Sequence, residues 1–179
     1  MRKYFNEIFF SEFLSITGGL LAGLLLANYI DELMLIPGMF IMIPGFLEMR
    51  GNISGSLAAR LGAALHMKFL KPRISARQRI LKSNVAAAVA LSVIIGLSLG
   101  VISFLFGYAL FGISSTKIIF VGVAAAILSN VIEIPLTVFS VFWLFKHGHD
   151  PDNVMGPYTT TIGDILSVVS LLLAIIIIG

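Results

Sequence analysis

Gly156-Pro157-Tyr158-Thr159-Thr160-Thr161-Ile162-Gly163-Asp164 opens an apolar run that continues to Ile178 with no further charge. Read as a helix entering a membrane, the run carries one carboxylate, Asp164, about two turns beyond Pro157. A charge at that depth costs at least ~2.5 kcal/mol even on lenient insertion scales, so it marks a functional site by default. The plain alternative is a carboxylate that only bonds a neighbouring helix. Pro157 suits the first helical position, where its missing N–H costs nothing. Helical spacing then predicts Thr160 and Thr161 one turn before Asp164 and Ser167 one turn after it, on one face. The result is a narrow polar stripe on an otherwise lipid-compatible helix.

Composition extends that reading to the whole chain. Hydrophobic residues make up 58%, charged residues 12%, and the mean hydropathy is +1.03. Soluble domains carry roughly 25% charged residues, so these values indicate an all-α integral membrane protein. There is no cysteine, which excludes disulfides, thiolate metal sites and cysteine nucleophiles.

Five transmembrane helices are expected, at about 13–30, 33–49, 83–110, 118–145 and 157–178. A short polar lead precedes the first. Within the first, Ser15, Gly19, Gly23 and Ala27 recur every four residues, the spacing that lets membrane helices approach closely. The second span is short and broken, because Pro37-Gly38 and Pro44-Gly45 interrupt it, and such segments point to binding sites in transporters. It ends at Glu48-Met49-Arg50-Gly51-Asn52 and is followed by an interfacial helix that Pro72 stops. The basic run over residues 68–82 has no acid. It is read as the positive-inside signal and not as a nucleic-acid site. Ser75 and Gln78 have capping-box spacing ahead of the third span, in which Gly96 and Gly100 repeat the small-residue pattern. In the fourth, Ser129, Asn130, Glu133, Thr137 and Ser140 form a second polar stripe beside a kinking Pro135. His147 and His149 belong to a solvated loop. Five spans with the N-terminus cytoplasmic and the C-terminus outside put eleven of the twelve Lys and Arg residues inside, leaving only Lys117 outside.

Two stretches resemble the MgtE-type magnesium transporters and their animal solute-carrier relatives. Pro44-Gly45-Phe46-Leu47-Glu48-Met49-Arg50-Gly51-Asn52, running on through Leu57-Ala58-Ala59-Arg60-Leu61, resembles that family's proline-containing second helix with its Gly-Asn pair. Asp150-Pro151-Asp152-Asn153-Val154, with Pro157 and Gly163-Asp164, resembles its Asp-Pro loop and ion-binding aspartate. The resemblance covers residues 13–179 and implies a homodimer that transports hydrated Mg²⁺ through a pore at the subunit interface, with paired Asp164 at its centre. Bacterial members precede this unit with a cytosolic sensor of paired CBS modules. Twelve residues stand there here, so a single transmembrane domain with no soluble regulatory domain is expected. Gly156 also replaces the polar residue usual before the proline of the last helix.

The chemistry agrees with the resemblance. Mg²⁺ takes near-octahedral oxygen coordination and gives up water reluctantly, so one or two carboxylates with several retained waters suit it. The candidate metal residues are Asp164, Thr160, Asn130, Glu133 and Asn52, with Mg²⁺ as both cargo and ligand. An intramembrane aspartyl protease is excluded: residue 161 is Thr where Gly-x-Gly-Asp is required, and no other span holds an Asp. The chain is therefore not expected to be an enzyme. The rival readings are a proton- or sodium-coupled carrier using Glu133 and Asp164, and a non-transporting structural subunit.

Overall fold

The computed structural model describes residues 2–179, with side chains from Phe5 onward. Six helices follow one another: α1 (Arg2–Asn28), α2 (Ile30–Leu33), α3 (Met39–His66), α4 (Arg79–Phe111), α5 (Lys117–Lys146) and α6 (Pro151–Ile178). The described residues contain no strand. Four helical stretches are long and apolar enough to cross a membrane: Phe5–Asn28, Arg79–Phe111, Lys117–Lys146 and Pro151–Ile178.

The expected second span and its interfacial continuation are instead one helix. At 28 residues α3 is about 42 Å long, and it runs without interruption through Pro44, Gly51 and Asn52. The break falls only at Pro37-Gly38, where Gly38 adopts φ +91°, a left-handed conformation that favours glycine. Pro44 sits within the first two turns and removes one hydrogen bond, which the rest of the ladder tolerates. An inward row of Met42, Phe46, Met49, Ile53, Leu57 and Leu61 at helical spacing then places α3 at the centre of the core. The polar residues that made it look unlike a span alternate with that row.

Helix α4 packs on α5 through the expected glycines. A Cβ on Gly100 would lie 2.7 Å from Ile119 Cα, and one on Gly96 would lie 2.7 Å from Ala126 Cβ. Helix α4 ends at Gly112 (φ +67°), where the amides of Gly112 and Ile113 donate to the Tyr108 and Gly107 carbonyls.

Three local expectations change. The stripe Ser15, Gly19, Gly23, Ala27 is not the packing face of α1: Gly19, Gly23 and Ala27 are exposed, and Ser11, Gly18 and Ala22 are buried, with Gly18 seated against Thr161 of α6. The two stripes differ by one residue, a rotation of about 100°. The Ser75–Gln78 capping box does not form. Gln78 instead ties down the preceding loop, accepting from the Lys71 amide at 2.8 Å and donating to the Arg73 carbonyl at 2.6 Å. Finally, α6 begins six residues before Pro157. Pro151 takes the first helical position, and the Asp150 carboxylate caps the end by accepting from the Asp152 amide at 3.1 Å.

Pro157 therefore lies inside α6, where it frees the Asn153 carbonyl four residues earlier. The Ser11 hydroxyl of α1 lies 3.3 Å from that carbonyl, its proton shared with the nearer Ile8 carbonyl at 2.9 Å.

Candidate ion-binding site

Helix α3 turns a second face away from its apolar row, and this face meets α6. Pro44, Leu47, Glu48, Gly51, Asn52, Gly55 and Ser56 of α3 face Gly156, Thr159, Thr160 and Asp164 of α6 across an open cleft of about 530 Å³. The helices run side by side here: a Cβ on Gly51 would lie 3.6 Å from Thr160 Oγ1 and one on Gly55 3.8 Å from Thr159 Oγ1, ordinary contact distances. Asp164 and Glu48 supply two carboxylates to this cleft.

The neutral groups present oxygen lone pairs. Thr160 and Thr159 donate their hydroxyl protons back to the carbonyls of Gly156 (3.1 Å) and Met155 (2.7 Å), which leaves their oxygens as acceptors. Asn52 donates through Nδ2 to Glu48 Oε1 at 3.0 Å, so its carbonyl oxygen stays free to meet a cation or its water. The polar part of the cleft is therefore dominated by oxygen acceptors, two of them carboxylates. Oxygen donors of this kind suit hard cations such as Mg²⁺ and Ca²⁺ and offer nothing to thiophilic metals.

Of the five metal residues expected from sequence, the structure brings Asp164, Thr160 and Asn52 to the cleft and places Asn130 and Glu133 elsewhere. Glu133 is buried, ion-paired with Arg50 of α3, and accepts from the Ser54 hydroxyl. Arg50 is wholly buried and also donates through Nη1 to Asn130 Oδ1 at 2.7 Å and Ser92 Oγ at 3.0 Å. The second polar stripe is thus real but faces the interior, and the rest of it follows suit: Ser140 donates to the Tyr158 hydroxyl at 3.0 Å. The first stripe splits. Thr160 and Asp164 face the cleft, Thr161 is buried against α1, and Ser167 is buried with no hydrogen bond to its hydroxyl among the described residues.

Arg50 is the candidate that sequence reasoning did not single out, and Glu48, an acid expected near the inner mouth, lies in the cleft itself. The signal was available: once α3 is continuous, Glu48 and Asn52 share one face while Arg50 and Ser54 share the opposite one. Of the two histidines, His149 lies 3.0 Å from Glu7 of α1, while His147 stays on the end of α5, 2.7 Å from the Trp143 carbonyl. No group of three His, Cys, Asp or Glu side chains converges among the described residues.

Residues 43–174, which hold both the Pro44–Asn52 stretch and Asp164, match the family MgtE, divalent cation transporter. The chain belongs to the MgtE family. Its members are transporters and not enzymes. This MgtE chain is also 25% identical over 134 residues to solute carrier family 41 member 3 of Rattus norvegicus, a match covering 70% of this chain and 28% of that one. The chain thus spans well under a third of that relative. No solved structure matches.

Proposed function

We propose that this MgtE-family chain carries hydrated Mg²⁺ across a membrane through a pore formed where two copies meet, with Asp164 from each copy at its centre. One observation carries the reading: a two-carboxylate, oxygen-lined cleft opens on the flank of an otherwise apolar helical bundle. Exposed polar groups at membrane depth are tolerated only where protein or a water-filled cavity covers them. A second copy placed across a two-fold axis covers the cleft and doubles its charge.

In this reading α3 is the fifth crossing, because its 28 residues exceed the ~30 Å hydrocarbon thickness and its polar face lines the pore. An odd number of crossings puts the termini on opposite sides, and the basic residues around 60–82 and Lys146 place the N-terminus in the cytoplasm. Six waters at ~30 Å³ each fill about 180 Å³, well within one copy's cleft, so the ion keeps its shell. Asp164 attracts the ion through that shell. Thr160, Asn52 and Glu48 accept hydrogen bonds from its waters. Pairing of Glu133 with Arg50 argues against a proton relay through Glu133 and Asp164.

The test is Asp164→Asn. At a water-separated ~5 Å and an effective dielectric of ~20, a dication gains ~6–7 kcal/mol from each carboxylate before desolvation is counted. The amide keeps the shape and removes both charges of the pair. Mg²⁺ flux into liposomes should fall at least ~100-fold while size-exclusion behaviour stays that of wild type. A correctly assembled Asp164→Asn protein that still conducts removes Asp164 from the pore.

A further inference from the structure

We infer that the buried Arg50–Glu133 pair is a positioning element that sets the width of the Asp164 cleft, and through it the affinity and size selectivity for the cation. The inference rests on the cleft being the ion site. Its geometry is independent of that reading. Arg50 and Ser54 of α3 both engage Glu133 of α5, and the second arm of the guanidinium reaches Asn130 of α5 and Ser92 of α4. Helix α6 then seats on this cluster at a residue without a side chain. A Cβ on Gly163 would lie 3.2 Å from Glu133 Oε1 and 3.8 Å from Arg50 Cβ.

The cluster lies directly behind the cleft. On α3, Glu48 and Asn52 sit two residues either side of Arg50, about 200° around the helix, so they face the cleft while Arg50 faces inward. On α6, Asp164 follows Gly163 and lies about 100° around the helix, on the cleft side. The distance from α3 to α6, and hence from Asn52 and Glu48 to Thr160 and Asp164, is fixed by what fills the space between Arg50 and Gly163. A salt bridge is a stiff filler, because charge and hydrogen-bond geometry hold it where aliphatic chains would slide.

Pairings along α5 and α6 extend the cluster. Ser140 meets Tyr158 and Glu133 meets Gly163, so the antiparallel register carries Asn130 to the level of Ser167. Arg50 Nε, Asn130 Nδ2 and Ser167 Oγ are all buried and make no hydrogen bond among the described residues. The polar cluster therefore continues one turn deeper behind Asp164.

The experiment uses the full chain in liposomes and reads Mg²⁺ flux against concentration, beside Ca²⁺ flux. The double variant Arg50→Met with Glu133→Leu removes both charges at similar volume, a change that buried ion pairs commonly survive. The expected result is a half-saturating Mg²⁺ concentration raised ~10- to 100-fold, the range for losing groups that orient a metal's ligands, with reduced discrimination against Ca²⁺. Arg50→Lys keeps the charge but cannot reach Glu133, Asn130 and Ser92 together, and should fall between the two. An assembled double variant with wild-type half-saturation and selectivity overturns the inference and leaves the pair purely structural. If the double variant does not assemble, Gly163→Ala decides. It pushes Glu133 by a few tenths of an ångström with both charges kept, and unchanged half-saturation there is equally fatal. Asp164→Asn runs in parallel: if it conducts like wild type, the cleft reading itself falls, whatever the Arg50 variants do.

Discussion

Replacing Gly100 by alanine should loosen the bundle at the crossing of α4 and α5, and the structure sets the size of the effect. The new methyl would sit 2.7 Å from Ile119 Cα, 3.0 Å from its carbonyl oxygen and 3.2 Å from the Ile118 oxygen. All three obstacles are backbone, so no side chain can swing aside and the helices must part. Overpacking of this kind costs ~1–3 kcal/mol, while alanine in place of a mid-helix glycine returns ~0.5–1 kcal/mol. The net loss is ~1–2 kcal/mol, about 2–8 °C in melting temperature for a chain of this size. Gly19→Ala is the matched control, since nothing lies within 4 Å of the added methyl and only the helix-propensity gain applies. Thermal unfolding of both variants in the same detergent compares them directly. If Gly100→Ala is as stable as Gly19→Ala, the close crossing is not as described, and the placement of Ser92 and Asn130 around Arg50 goes with it.

Two further outcomes follow from named contacts. Asp150→Ala removes the cap of α6 and should destabilise by ~0.5–2 kcal/mol, whereas Asp150→Asn keeps the acceptor and should stay near wild type; hydrogen exchange in the first turn of α6 separates them. Reporter tags on both termini should find the N-terminus cytoplasmic and the C-terminus outside. Buried Arg50 no longer counts towards that bias, but the exposed basic loop that dominates it is untouched, and an externally accessible N-terminus would refute the topology.

Asp164 was legible in the sequence because a lone carboxylate in an apolar run is conspicuous whatever surrounds it. Thr160 followed from helical spacing, and the glycines of α4 from theirs. Arg50 was not legible, because its meaning depends on a partner 83 residues away and on α3 continuing past Asn52. Linear reading took Glu48-Met49-Arg50-Gly51-Asn52 for the polar end of a span. In three dimensions those residues alternate between the cleft and a salt bridge at mid-helix. The packing face of α1 failed for another reason: two small-residue stripes one residue apart are equally plausible in sequence, and only the position of Thr161 selects between them. Glu133 was expected among the metal residues and instead pairs with Arg50, because spacing along one helix cannot say which neighbour a side chain meets.

The hydroxyl of Ser11 has a mechanical consequence beyond the one hydrogen bond. It approaches the carbonyl of Asn153 that Pro157 leaves without an amide, at the charged end of the bundle beside Glu7 and His149. With the Asn153 side-chain amide near Glu7 and Gly18 seated against Thr161, this contact ties α1 to α6 at several points along their length. The cleft wall that carries Asp164 is thus braced from behind by α1, while the α3 wall is braced through Arg50 by α4 and α5.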